Sequence, residues 1–149
     1  MAFNPKGVLQ KTHSFLSASA RFPGGTTIGE PKAAPVALAA SVFLSSLSIP
    51  ETTLTYAQGR LNLMVRLYAD AFAEPIEDTE IVMGQAVFEL IEDFCGDFDF
   101  SDANVRNLRP VDIAVAWGYL QLGPADAQRM LRIADISIPL DVNDVAVFG

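Results

Sequence analysis

The run Leu61-Asn62-Leu63-Met64-Val65-Arg66-Leu67-Tyr68 decides the fold class of this chain. Its odd-numbered residues are all aliphatic, and alternate side chains of an extended chain point to the same face. A period of two over this run predicts a β-strand with one buried face. The sequence on either side therefore has to supply the rest of a sheet and the elements that cover it.

The stretch before this strand, Val36–Ile49, is ambiguous. Its alanines and leucines permit a helix, whereas the alternation of apolar residues with serines permits a strand. We interpret it as a strand, because Ile49-Pro50-Glu51-Thr52-Thr53 is typical of a chain that leaves a sheet. Residues 54–60 then form a connecting loop, in which Gly59 is free to adopt positive φ.

The clearest helix in the chain follows the strand and begins at Pro75. Apolar residues recur there at intervals of three and four, which places them on one face of a helix. Gly96 is a natural C-terminal stop for that helix. The residues of the apolar face are Met83, Val87, Leu90 and Phe94.

Two further strands fill the last third of the chain, separated by turn material at residues 123–126. Residues 111–119 alternate with a period of two, and Trp117 and Tyr119 on the apolar side are predicted to be core or interface anchors. Residues 130–140 alternate in the same way, and Pro139 marks an edge or a strand end.

The N-terminal part begins with Asn4-Pro5, the form of an N-cap followed by proline at the first helical position. An amphipathic helix is predicted from there to about Ala20. Prolines and glycines then predict a long, exposed, irregular loop at about residues 21–35. Residues 1–149 are thus expected to form one α+β domain, a mostly antiparallel sheet of about four strands with helices packed on one face.

Charge and composition limit the classes of function. The net charge is −8, and the segment from Asp70 to Asp102 holds eleven carboxylates and no Lys or Arg. Nucleic-acid binding needs a basic groove or stripe, and the sequence shows none, so direct sequence-specific nucleic-acid binding is not expected. Half of the residues are apolar. That content fits a subunit that covers part of its surface with neighbours, and it fits a well-filled monomer core nearly as well.

Two features bear on compartment. Residues 33–50 carry no charge, but two prolines and four serines make a membrane-spanning helix a poor interpretation, so no membrane partner is expected. Cys95 is the only cysteine, which rules out an intrachain disulfide and favours a reducing compartment, although a disulfide-free extracellular protein would show the same cysteine content.

The search for catalytic chemistry finds no candidate, so we expect no enzyme, metal site or cofactor. His13 is the only histidine and is interpreted as a structural side chain of the first helix, and Cys95 as a small packing residue. An EF-hand loop that began at Asp97 would need Gly at its sixth position and Glu at its twelfth, where this chain has Asp102 and Leu108. A solvated acidic face is therefore the better interpretation of Asp97–Asp102. The carboxylates of the second helix are likewise interpreted as a solvated face and not as a general acid–base pair, because such a pair needs a cleft that the sequence does not show.

The second half of the chain resembles the tail-terminator proteins of long-tailed bacteriophages. In that family a strand leads into an amphipathic helix, then into a strand with an aromatic pair and a final strand with an Ile-x-Ile-Pro-like phrase followed by acidic residues. The matching stretches are Leu61–Ala69, Thr79–Phe94, Val111–Leu122 with its Trp117/Tyr119 pair, and Arg132–Leu140. Ile49–Tyr56 is similar to the loop between the first two strands, so the resemblance covers roughly residues 36–145.

The resemblance implies a structural virion protein made in the host cytoplasm. It implies a ring, of six subunits in the family, that caps the finished tail tube and joins it to the neck of the head. The partners would be further copies of the chain, the tail tube protein and a neck or connector protein. Three alternatives remain open: a neck or head–tail connector protein of the same particle, a monomeric acidic α+β domain that binds a metabolite or protein, and, as the weakest, an enzyme that uses the acidic cluster with a divalent metal.

Two sets of residues are hypothesised to serve such a ring. The first is a subunit interface in which basic residues after the acidic stretch pair with it across the boundary between copies. Its members are Arg106, Arg109, Asp97, Asp99, Asp102 and Tyr56. The second is an acidic face toward a lumen, where repulsion would keep passing DNA from sticking. Its members are Glu77, Asp78, Glu80 and Glu89.

Overall fold

The structure is a computed structural model that describes residues 4–52, 56–72, 76–96, 105–108 and 113–147. These residues form two helices and six strands. In chain order the elements are α1 (Pro5–Ala18), β1 (Thr26–Ile28), β2 (Ala39–Thr52), β3 (Tyr56–Asp70), α2 (Ile76–Cys95), β4 (Val105–Leu108), β5 (Ala114–Leu122) and β6 (Arg129–Val147).

The sheet has the order β1-β2-β3-β6, and both β4 and β5 pair with the far edge of β6. β5 pairs along residues 129–137 of β6 and β4 along residues 140–142, so the two lie end to end on that edge. Only the β1–β2 pair is parallel among the described strands. The α+β class and the largely antiparallel sheet are confirmed, whereas the expected count of about four strands is too low.

The first unexpected strand lies in the segment predicted to be an irregular, exposed loop. There, Thr26–Ile28 pair in parallel with Ala40–Val42 of β2, and Phe22 is only 8% exposed. The prediction of a wholly irregular loop at 21–35 was therefore wrong. The two threonines and the isoleucine of β1 favour extended backbone, but a parallel partner that lies beyond an intervening loop leaves no local signal.

Two strand boundaries also differ from the predictions. Residues 54–60 were expected to be a loop, yet β3 begins at Tyr56, and Gly59 pairs with Val142 of β6. The strand predicted to end near Pro139 continues to Val147. Pro139 lies between the β6 residues that β5 and β4 engage, so its missing N–H removes no hydrogen bond to either of those strands.

The core lies between one face of the sheet and both helices, as expected. The alternating aliphatic residues predicted in β3 are at most 3% exposed and face α2. Each such side chain stabilises the fold by roughly 1.5–3 kcal/mol on burial. The core also contains residues of α1, α2, β2 and β6, chiefly Val8, Leu16, Val42, Met83, Val87, Leu90, Phe94, Ile136, Ile138 and Leu140.

The helices begin and end close to the predicted positions. Pro5 occupies the first turn of α1, although the Asn4 side chain makes no capping hydrogen bond, and α1 ends at Ala18 rather than near Ala20. α2 carries Glu77 and Asp78 in its first turn, where carboxylates stabilise the positive end of the helix dipole.

The opposite face of the sheet carries polar pairs between neighbouring strands. The buried Ser41 and Tyr68 hydroxyls are 2.8 Å apart across β2 and β3, and Asn62 donates a hydrogen bond to Ser46. A small apolar cluster of Ala39, Tyr68, Leu131 and Ile133 covers one end of this face.

Candidate functional site

An exposed aromatic pair on β5 is the most distinctive surface feature. Trp117 and Tyr119 pair with Ala134 and Arg132 of β6, and they lie on the sheet face that carries the helices. Trp117 is 41% and Tyr119 64% exposed. Of the two roles predicted for these residues, core residue or interface anchor, the structure therefore excludes the first.

Arg132 holds this pair in place. Its guanidinium carbon lies 4.7 Å from the ring centre of Tyr119 and 5.9 Å from that of Trp117. The same side chain donates hydrogen bonds to Glu80 of α2 at 2.8 Å and to the Gly118 carbonyl at 3.2 Å. A cation positioned over aromatic faces and tied down by two hydrogen bonds makes β5 a rigid, partly apolar surface.

A second apolar surface lies toward the opposite edge of the sheet, on β2. β1 covers β2 only at Ala40–Val42, and the part of β2 beyond them carries three exposed aliphatic side chains. Leu47 and Ile49 are each 49% exposed, and Leu44 is 37% exposed. Leu44 and Leu47 are opposite Leu63 and Leu61 of β3, so they lie on the same face of the sheet as the helices.

The outer face of α2 mixes apolar and acidic residues. Phe88 is 73% and Ile81 64% exposed, on a helix whose inner side packs on the sheet. Glu77 and Asp78 are exposed near its start. The hypothesised acidic face is therefore interrupted by large apolar side chains.

The two remaining carboxylates of that hypothesis pair with arginines of this chain. Glu80 bonds Arg132, and Glu89 lies 3.0 Å from Arg21, which also bonds Asp93 at 2.7 Å. Arg21 thus joins the segment after α1 to α2. The sequence had not indicated either pairing, because the partners are far apart in the chain.

Strand-to-strand ion pairs dominate the sheet face opposite the helices. Arg66 of β3 bonds Asp135 of β6 at 2.6 and 3.0 Å, and Arg129 bonds Asp70 at 2.6 Å. The hydrogen bond from Arg66 to Asp135 raises the pKa of the guanidinium. Burial raises the pKa of Tyr68, because the charged phenolate would lose its hydration. These pairs connect strands of the sheet, and their role is structural.

Most of the hypothesised interface residues lie outside the described part of the chain. Asp97, Asp99, Asp102 and Arg109 belong to segments 97–104 and 109–112, which the structure does not describe. Arg106 lies in β4 at a register shift, and Tyr56 is the first residue of β3. Only their backbones are described, so the predicted pairing between acidic and basic residues of neighbouring copies stays a prediction.

The lone histidine and cysteine occupy different environments. His13 Nε2 lies 3.1 Å from the Thr26 carbonyl oxygen, which connects α1 to β1. Cys95 is exposed at the end of α2, so its prediction as a packing residue was wrong. The described residues hold no group of three or more metal-ligating side chains, and no helix among them is long and apolar enough to cross a membrane.

A shallow cavity of about 290 Å³ lies beside β1 and the start of β2. Its lining is glycine, alanine, proline and valine, with Thr27 as the one hydroxyl side chain. Such a lining offers no charged side chain to a ligand and no base that could activate the Thr27 hydroxyl as a nucleophile.

Comparison of the sequence with protein-family models and with curated proteins finds no match. The resemblance to tail terminators therefore rests on the sequence phrases alone. Of the residues that shape the two apolar surfaces, the sequence pointed to Trp117 and Tyr119, but not to Arg132 or Leu47. The lack of charge in residues 33–50 was the available signal for Leu47.

Proposed function

We propose that this protein is a structural subunit that assembles with copies of itself into a ring. The specific assembly we propose is the ring that caps the tail tube of a long-tailed phage and joins it to the neck. The resemblance of residues 36–145 to tail terminators supports the specific assembly. The surface of the domain supports the self-association.

The observation that carries the proposal is the exposure of apolar side chains at two separate places on the sheet. Leu44, Leu47 and Ile49 lie on β2, and Trp117 and Tyr119 lie on β5, with β3 and β6 between the two elements. Large exposed apolar patches usually mark interaction sites. Trp, Tyr and Arg are also the residues most enriched among interface hot spots, and Arg132 completes such a set beside the β5 pair.

Two different surfaces on one subunit favour a ring over a two-fold dimer. A two-fold contact uses the same patch on both copies, whereas contact between two different patches closes a ring or extends a filament. The β2 and β5 surfaces differ in composition, one aliphatic and one aromatic, so each suits a partner surface other than itself. In a closed ring, the β2 surface and the β5 surface of every copy are both covered by a neighbour.

The ion pairs of the domain agree with a structural role. Arg66, Arg129 and Arg132, which lie on the sheet, are each bonded to a carboxylate of this chain. Glu77 and Asp78 remain exposed on α2, and we propose that they face the lumen or an axial partner. The tail tube protein and a neck or connector protein are the proposed axial partners.

The test is the mass of the purified chain by light scattering, with negative-stain images of the same sample, followed by addition of tail tubes from the phage that encodes it. Rings that bind the tube end support the proposal. Rings that bind a neck or portal assembly but not the tube would move the protein to the neck of the particle. A chain that stays monomeric and ignores tubes would overturn the proposal in favour of a monomeric binding domain.

A further inference from the structure

The two outer edges of the sheet have an unusual composition. Beyond Val42 the outer edge of β2 has no partner among the described residues, and the same is true of the outer edge of β5. Residues 43–49 of β2 and all nine residues of β5 carry no charge, in a chain of which 19% is charged. Exposed edges are normally protected by charged residues, because their open N–H and C=O groups otherwise pair with other chains.

We propose that copies of this chain join edge to edge, with residues 43–49 of one copy adding to β5 of the next. This inference deepens the proposed function and rests on its self-association. The two edges lie on opposite sides of one sheet, so each copy offers one edge to each neighbour. Pro50 lacks an N–H and therefore ends the edge of β2 that can pair with another strand. The seven residues before it, 43–49, are fewer than the nine residues of β5, so they can pair along their whole length.

The side chains of the two edges fit this pairing. Leu44 and Leu47 lie on the face of the sheet that carries the helices, and Trp117 and Tyr119 lie on that same face. Joining the edges would set the aliphatic residues of one copy beside the aromatic residues of the next. Cross-strand pairs of aromatic with aliphatic residues are a recurrent source of sheet stability.

The strand directions fix the geometry of the joint. β2 runs parallel to β6, because both are antiparallel to β3, and β5 runs antiparallel to β6. With the helices on the same face of both copies, as the side-chain match requires, the β2 edge of one copy can meet the β5 edge of the next in only one relative strand direction. The β2 edge of one copy therefore meets β5 of its neighbour as an antiparallel pair.

The test blocks each edge separately with one lysine. Leu47→Lys is placed on the β2 edge and Ala114→Lys on the β5 edge, and both positions are exposed, so the fold should hold. Ser14→Lys on the exposed side of α1 adds the same charge away from both edges and is the control. Urea unfolding midpoints of all three variants are expected to match the wild type at a protein concentration at which the wild type is monomeric, and such a match confirms that each variant is folded.

We expect each edge variant to weaken self-association by about tenfold or more, while Ser14→Lys assembles like the wild type. A mixture of the two edge variants still holds one intact pair of edges. That mixture should form one-to-one dimers and nothing larger by light scattering. Hydrogen exchange should slow at residues 43–49 and 114–122 on assembly of the wild type.

Three outcomes would overturn edge pairing. Assembly of both variants with unchanged mass, or fast exchange of both edges inside a ring, would show that other surfaces hold the copies together. In that case the ring of the proposed function survives. A wild-type chain that stays monomeric also overturns edge pairing, and the proposed function then fails only if that chain does not bind tail tubes.

Discussion

Arg66 and Asp135 face each other across β3 and β6, joined by hydrogen bonds of 2.6 Å and 3.0 Å from two nitrogens of the guanidinium to the two carboxylate oxygens. Both side chains are about one-fifth exposed. Two parallel charge-assisted hydrogen bonds in a half-buried position are among the stronger polar contacts in proteins. This pair ties the two longest strands of the sheet together on the face that the helices leave open.

We expect Arg66→Met and Asp135→Asn each to lower the free energy of unfolding by about 1–3 kcal/mol, because each removes the bidentate charge pair. After Asp135→Asn, Arg66 keeps its longer ion pair with Glu30, at 3.8 Å, and its position over the Phe43 ring. The double variant should cost less than the sum of the two. Urea unfolding of the four proteins measures this coupling.

The matched control is the pair Arg60–Asp141, on the same two strands but longer, at 3.5 Å, and with the arginine 44% exposed. Its coupling should be below about 1 kcal/mol. Equal coupling in the two pairs would mean that burial and bidentate geometry add nothing at Arg66.

Tyr68→Phe should alter the response of stability to alkaline pH. Burial raises the pKa of Tyr68 above its value of about 10 in an unfolded chain. The fully protonated group contributes its stability below pH 10, and that contribution is lost as the pH rises from there toward the folded-state pKa. The variant should therefore lose less stability than the wild type as the pH rises through about 10.

The same variant should cost about 1 kcal/mol at neutral pH, where it loses the hydrogen bond to Ser41. Tyr119→Phe is the control, because that hydroxyl belongs to an exposed side chain. Identical alkaline profiles for the wild type and Tyr68→Phe would contradict the prediction.

Two glycines should respond in opposite ways to alanine. A Cβ on Gly24 would lie less than 3 Å from the Ala37 carbonyl oxygen, a contact that forces the β1–β2 connection to move. We expect Gly24→Ala to destabilise the fold by about 1–3 kcal/mol. Gly84 lies within α2 and a Cβ there would meet open space, so Gly84→Ala should stabilise the fold by about 0.5–1 kcal/mol. Thermal unfolding distinguishes the two signs.

Arg132→Met should loosen the aromatic pair on β5. The change removes the cation over Tyr119 and Trp117 and the bond to Glu80, for an expected loss of about 1–2 kcal/mol. Trp117 is the only tryptophan, so its fluorescence emission reports on this surface alone. Glu80→Gln keeps both ring contacts and should change emission little. An unchanged spectrum in Arg132→Met would show that Arg132 does not position the pair.

Local sequence patterns were sufficient to predict the elements that have a regular period. The alternation in residues 61–68 predicted β3 and its buried face, and the spacing of Met83, Val87, Leu90 and Phe94 predicted the inner side of α2. Such periodicities are visible in the sequence because the side of a helix or strand that faces the core must be apolar, and the residues of that side recur at a fixed short spacing.

Long-range packing, in contrast, determines which strands pair and which edges stay open. β1 is held in the sheet by parallel pairing with β2, which follows it after a loop. Arg132 bonds Glu80, which lies 52 positions away in the chain. The same alternating pattern in β5 is compatible with a central or an outer strand. Pairing between strands is set by the packing of the whole domain. Local periodicity therefore could not reveal that the Trp117 side of β5 is exposed on a strand at the edge of the sheet that the described residues form.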